Sequence, residues 1–155
     1  MEENLETFKK IKGFARVQLV DSKTGRIVSD SGFRENVVTN LGFQHFICEL
    51  VGGIAGSTQV SHMIIGTGTA PNVTDTSLDG ETGARTTTTN TVIASKTMQA
   101  TCQFAGTDMA STCTIQNIAL INTSAAGTIL CGTTYATSQW ASNQNINASY
   151  QLRFS

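Results

Sequence analysis

Asp75, Ser77 and Asp79 carry side-chain oxygens at alternate positions, and Gly80 follows directly. That spacing opens a calcium loop, in which oxygens from every second residue converge on a hard cation. The bidentate glutamate such a loop needs is missing: Thr86 stands in its place, and Glu81 is the substitute at hand. Asp75, Ser77, Asp79 and Glu81 are therefore a weak calcium candidate. The simpler expectation is that both aspartates close turns by accepting from nearby amides. Upstream, Gly66 and Gly68 in GTGTAP share two glycines with a dinucleotide-binding loop. Pro71 occupies the third glycine's place, no helix pattern follows, and there is no Gly-Lys-Ser/Thr, so a phosphate cradle is not expected. The glycines read instead as an exit from a buried strand through an unusual backbone conformation.

Other reactive residues are scattered. His45 and Cys48 lie three apart, with His62 elsewhere, and a zinc site needs more ligands in closer company. Cys48, Cys102, Cys113 and Cys131 show no CxxC spacing and are expected to be buried free thiols. No G-x-S-x-G elbow is present, and two histidines with dispersed carboxylates give no triad. Neither enzymatic activity nor a cofactor is expected. Trp140, read as lying in a loop within TTYATSQWASNQN, is either a cap on the core or an interface anchor. Leu5, Phe8 and Ile11 recur every third residue in the charged start MEENLETFKKIK, a stripe too short to hold a helix alone. Residues 1–12 are thus expected to be an N-terminal arm, either frayed or ordered on a partner. Leu5, Phe8, Ile11 and Trp140 are the interface candidates.

The elements that must position these residues are mostly strands. GFARVQLV alternates apolar and polar, DSKTG is turn chemistry, and RIVSDSG returns as the second strand of a hairpin. ENVVT continues extended. VSHMII, ARTTTTNTVIAS, KTMQATCQFA, CTIQNIALIN, TILCGTTYA and NASYQLRFS read as further strands. TNLGFQHFICELVGG is the one helix, with Thr39 or Asn40 as its cap and Gly52–Gly53 as its stop. Phe43, Phe46, Ile47, Leu50 and Val51 fall on one face, which is expected to dock on a sheet. The sum is a mainly β chain: a jelly-roll-like β-sandwich of about eight antiparallel strands with one α-helix packed on it, as a single domain over 13–155.

Bulk properties exclude some partners. The chain has 155 residues and a net charge of −1, so no global field draws it to nucleic acid. From Thr86 onward only Lys96, Asp108 and Arg153 are charged, and Thr, Ser, Asn and Gln dominate. That surface suits contact with another protein. No apolar run approaches the ~20 residues that span a bilayer, and the charged start carries no signal-peptide pattern, so synthesis in a cytosol is expected.

NVVTNLGF at 36–43, HMIIGTGTAPNVTDTSLDGE at 62–81 and Arg85 together form a pattern. In it the chain resembles bacteriophage virion structural proteins, found as head decoration (cement) proteins and as tail components. The resemblance implies a virion β-domain without catalytic residues. Its single-domain size favours a cement protein on the capsid surface, made in the host cytoplasm, with the major capsid protein and itself, as a homotrimer, for partners. The alternative is a tail, baseplate or tail-fibre component. Neither nucleic acid nor membrane is an expected partner.

Overall fold

The computed structural model describes residues 11–44, 49–55, 58–109 and 111–155, with Val51 and residues 136–138 described by backbone alone. Two antiparallel sheets pack face to face as a β-sandwich. One contains β1 (Ile11–Asp21), β2 (Ile27–Asp30), β3 (Arg34–Glu35), β7 (Thr89–Ala94), β8 (Thr97–Phe104) and β11 (Gln144–Phe154). The other contains β4 (Val37–Val38), β5 (His62–Gly66), β6 (Glu81–Thr87), β9 (Cys113–Ile121) and β10 (Ile129–Trp140). The first sheet runs β2-β1-β11-β8-β7, with β3 also on β1, and the second runs β4-β10-β9-β5-β6. Eleven strands appear among the described residues where about eight are expected, because two extended runs change sheets midway. ENVVT divides at Asn36 into β3 and β4, and the Thr-rich run divides at Thr88 into β6 and β7. These two corners bridge the sheets along opposite flanks. Asn36 N donates to Gly13 O at 2.9 Å and Thr88 N to Ser61 O at 2.8 Å, so each corner stays hydrogen-bonded as the chain leaves one ladder for the other.

Alternation along β1, β8 and β11 sends Ala15, Val17, Leu19, Ala100, Phe104, Ile146, Ala148, Tyr150 and Leu152 inward. They meet Met63, Ile65, Ile118, Leu120 and Trp140 from the second sheet. Burying each large side chain is worth roughly 1.5–3 kcal/mol, so this layer is the main source of stability. The second sheet also buries its outer face. Ile64, Ala119, Ile121 and Ile129 lie there under Leu78 of the long loop 67–80. This explains why Ile118–Ile121 is apolar without a break: a strand covered on both faces has no solvent side to alternate toward.

Two expectations are corrected here. Ile11 is not part of a free arm: it opens β1, pairs with Phe154 and is buried, because β11 runs far enough to offer it a partner. Lys12 likewise lies in β1, opposite Arg153. Leu5 and Phe8 lie outside the described residues. Trp140 is not in a loop and is not an interface anchor of the monomer's surface. It ends β10 fully buried, with Nε1 donating to Gln144 O at 2.8 Å. Between Thr134, which pairs with Asn117, and Ser138, which pairs with Ile115, the ladder is irregular, and Tyr135 and Trp140, five positions apart, both lie inward, so strict alternation does not hold across this bulge.

The interior holds titratable groups in their neutral forms. Burial pushes the Cys131 and Cys102 thiols up to about 12, and it raises the Tyr135 and Tyr150 hydroxyls as well. An unfolded thiol ionises near pH 9, so between about pH 9 and 12 the unfolded chain releases protons that the folded chain keeps. Stability is therefore expected to be unaffected by these thiols below about pH 8 and to fall above pH 9, by up to about 1.4 kcal/mol per pH unit for each buried thiol. Calorimetric melting from pH 7 to 11 checks this. A chain carrying Cys102→Ala and Cys131→Ala should lose stability less steeply over the same range.

Candidate functional site

Loop 67–80 is held to the second sheet by a dense set of bonds. Thr67 N donates to Gly80 O at 3.0 Å, and Ile129 N donates to Thr76 O at 3.1 Å. Asn117, fully buried on β9, donates from Nδ2 to Thr69 O and to Asp79 O, each at 2.9 Å. Gln116 Nε2 adds a bond to Thr67 O at 2.7 Å. Gly66 and Gly68 serve close approach and not backbone freedom, since neither has a positive φ. A Cβ on Gly66 would lie 2.5 Å from Asn117 Oδ1, and one on Gly68 would collide with Asp79. Pro71 is buried, with its Cγ only 2.8 Å from where a Cβ on Gly132 would sit.

The calcium candidates go separate ways. Asp79 Oδ2 accepts from Thr69 N at 2.9 Å and from Thr69 Oγ1 at 3.1 Å, and these bonds hold its carboxyl below the usual range. Asp75 Oδ2 accepts from Asn72 N at 2.8 Å. Glu81 forms a two-point pair with Arg85, at 2.7 and 3.0 Å, and Arg85 also donates to Ala126 O across the β9–β10 turn. Ser77 is exposed. Among the described residues no three His, Cys, Asp or Glu side chains gather to hold a metal. The aspartates act as turn closers, the simpler of the two expectations.

Beside this loop sits the helical segment, with one turn at Asn40–Phe43 (α1) and another at Leu50–Gly52 (α2). Thr39 caps α1: its Oγ1 accepts from Gly42 N at 2.9 Å and donates toward Ile129 O and Leu130 O, both at 3.0 Å. Asn40 N donates to Val73 O at 2.8 Å, tying the helix to the loop. Gly53, at φ 61°, makes the left-handed stop. The expected docking face is corrected, however. Phe43 is 45% exposed and Leu50 36%; Phe46 and Ile47 lie outside the described residues. Gly42 is what touches the sheet, so closely that a Cβ there would strike Leu130 O. With backbone against backbone, the near side of α1 has no room for a large side chain.

The outcome is an apolar ledge. Leu41, Phe43 and Leu50 are exposed on the two helical turns, Ile54 just after them, and Val73 on the adjoining loop. A cleft of about 210 Å³ opens next to them between Leu41 and Glu49 on one side and Asn122, Gly127, Thr128 and Leu130 on the other. Exposed apolar side chains gathered in one place mark an interaction surface, unlike singly scattered ones. Residue types that hint at chemistry did not point here. The signal lay in Thr39 and Gly42 of the NVVTNLGF stretch, whose requirements only the docked geometry explains.

The remaining candidates are structural. His62 on β5 shares hydrogen bonds with Ser61 Oγ at 2.8 Å and Thr87 Oγ1 at 3.4 Å. His45 and Cys48 lie outside the described residues. Cys102, Cys113 and Cys131 are free thiols, of which Cys131 is fully buried. The outer face of the first sheet carries a neutral amide ladder: Gln151 Nε2 to Gln99 Oε1 at 2.9 Å and Gln103 Nε2 to Asn147 Oδ1 at 2.7 Å. No described helix is long and apolar enough to cross a membrane. No known family model, curated protein or solved structure matches the chain.

Two outcomes follow. Melting temperature should be the same in millimolar calcium and in excess chelator, measured by differential scanning fluorimetry, because the three carboxylates already have separate partners. Gly42→Ala should lower stability by about 1–3 kcal/mol, measured by urea unfolding, since the added methyl forces α1 off β10.

Proposed function

We propose that the chain is a virion structural protein, a decoration (cement) protein that binds the assembled coat lattice of a phage head and stabilises it as a homotrimer. One observation carries the reading beyond the sequence pattern. The two stretches that bear the resemblance, 36–43 and 62–81, are linked by Asn40 N to Val73 O, and they supply Leu41, Phe43 and Val73 of the exposed apolar ledge. The pattern therefore describes a docking platform built without catalytic groups. From Thr86 onward the chain offers amides and hydroxyls and few charges, which suits broad hydrogen-bonded contact with coat protein. A ligand that binds the assembled shell and not the free coat subunit stabilises the shell by mass action, so no chemistry is required of it.

The test is to add the purified protein back to heads that lack it. Wild-type chain should bind and raise the heads' tolerance of heat and osmotic shock. A chain with Phe43→Asp and Leu50→Asp should bind at least about 100-fold more weakly, a loss of roughly 3 kcal/mol, while melting like wild type. Heads that survive equally well with and without the protein would overturn the proposal. Labelling that placed the protein on the tail alone would replace it with the tail, baseplate or tail-fibre reading.

A further inference from the structure

We propose that the apolar ledge of one copy of the chain receives the basic hairpin edge, residues 22–34, of a second copy. Among the described residues, exposed large apolar side chains gather in three places: the ledge, the hairpin edge with Ile27, Val28 and Phe33, and β7 with Val92 and Ile93. Charge separates the three. Residues 36–84, which build the ledge and the loop beside it, contain Glu49, Asp75, Asp79 and Glu81 and no Lys or Arg. Glu81 is paired with Arg85, but Asp75 and Asp79 accept from neutral donors and keep their charge. Glu49 lines the cleft beside Leu41. Residues 22–34 contain Lys23, Arg26 and Arg34 against Asp30 alone, and Asp30 is already bound by Arg16. Arg26 and Arg34 have no carboxylate partner among the described residues. β7, TNTVIA, has no charged residue. One apolar patch is therefore acidic, one basic and one neutral, and the first two complement each other.

The two patches meet only between copies. Ile27 pairs with Val20 and Arg34 with Ala15, so the hairpin edge is held on β1 of the first sheet. The ledge is held on β10 of the second sheet, where Thr39 and Gly42 meet Leu130. Each patch is exposed in the folded chain and fixed to its own sheet, so one copy cannot lay its hairpin on its own ledge. Symmetry makes the same demand. The interface of a cyclic trimer is heterologous and joins two different patches of neighbouring copies, whereas a single self-complementary patch gives a dimer. The inference rests on the homotrimer proposed above and assigns its two faces. Loss of the trimer removes its avidity, so ledge substitutions weaken head binding by that route as well.

Light scattering on the full-length chain, without heads, should show wild type as a trimer. Arg26→Glu with Arg34→Glu sets acids opposite the acidic ledge and should weaken association at least about 100-fold. Phe43→Lys with Leu50→Lys should weaken it to the same extent from the other side. Both variants should keep the circular dichroism and melting of wild type, since all four side chains are exposed. Mixed one to one at high concentration, the two variants should form a heterodimer and nothing larger, because each keeps one intact patch. A monomeric wild-type chain would overturn both the trimer and this pairing of faces. A wild-type trimer that persists in either variant, or a mixture of the two variants that stays monomeric, would overturn the pairing alone.

Discussion

The carboxamide of Asn117 reaches from the middle of β9 to two carbonyls of loop 67–80, Thr69 and Asp79, and holds them over a sheet face that must not be left wet. Ile64, Ala119, Ile121 and Ile129 project on that face and pack with Leu78 of the loop. A buried amide that satisfies two backbone acceptors fixes the loop in position as well as in energy, because no shifted arrangement keeps both bonds. From that anchor the rest of the platform follows. Leu78 drops into the outer cluster, Ile129 N bonds Thr76 O, and Val73 O is placed to receive Asn40 N.

The helical turn then completes the platform in an unusual way. A helix on a sheet commonly docks through large side chains. Here Thr39 and Gly42 dock it through backbone contact with Leu130, and the described large side chains, Leu41, Phe43 and Leu50, are exposed. The fold thereby leaves these apolar residues on the surface. The neutral ladder of Gln99, Gln103, Asn147 and Gln151 on the opposite sheet points the same way. A molecule whose sheets are both covered or hydrogen-bonded, whose charges are few and whose apolar ledge is exposed is suited to being part of an assembly.

The residues that looked most like chemistry proved to be the most structural. Gly66 and Gly68 make room for Asn117 and Asp79; Asp75 and Asp79 close turns; Glu81 orients Arg85 onto the β9–β10 turn. That outcome was half legible beforehand, since turn closure by aspartate is a local property of the sequence. The close approach of Gly66 to Asn117 was not, because its two partners lie 51 positions apart in the chain.

The sequence by itself determined where the strands and turns fall, because alternation and turn chemistry are local. β1, β8, β9 and β11 lie where the pattern places them, and the Thr39 cap and Gly53 stop are where their residue types require. The tertiary structure alone decided which way the apolar stripes face. A stripe records only that residues share a side, so Phe43 and Leu50 read as a docking face until Gly42 is seen against Leu130. Likewise Trp140 lies inward beyond an irregular stretch of β10, and corners at Asn36 and Thr88 carry single extended runs from one sheet to the other. Each of these depends on the partner strand across the ladder, and a partner distant in the chain leaves no periodic mark on the residues it controls.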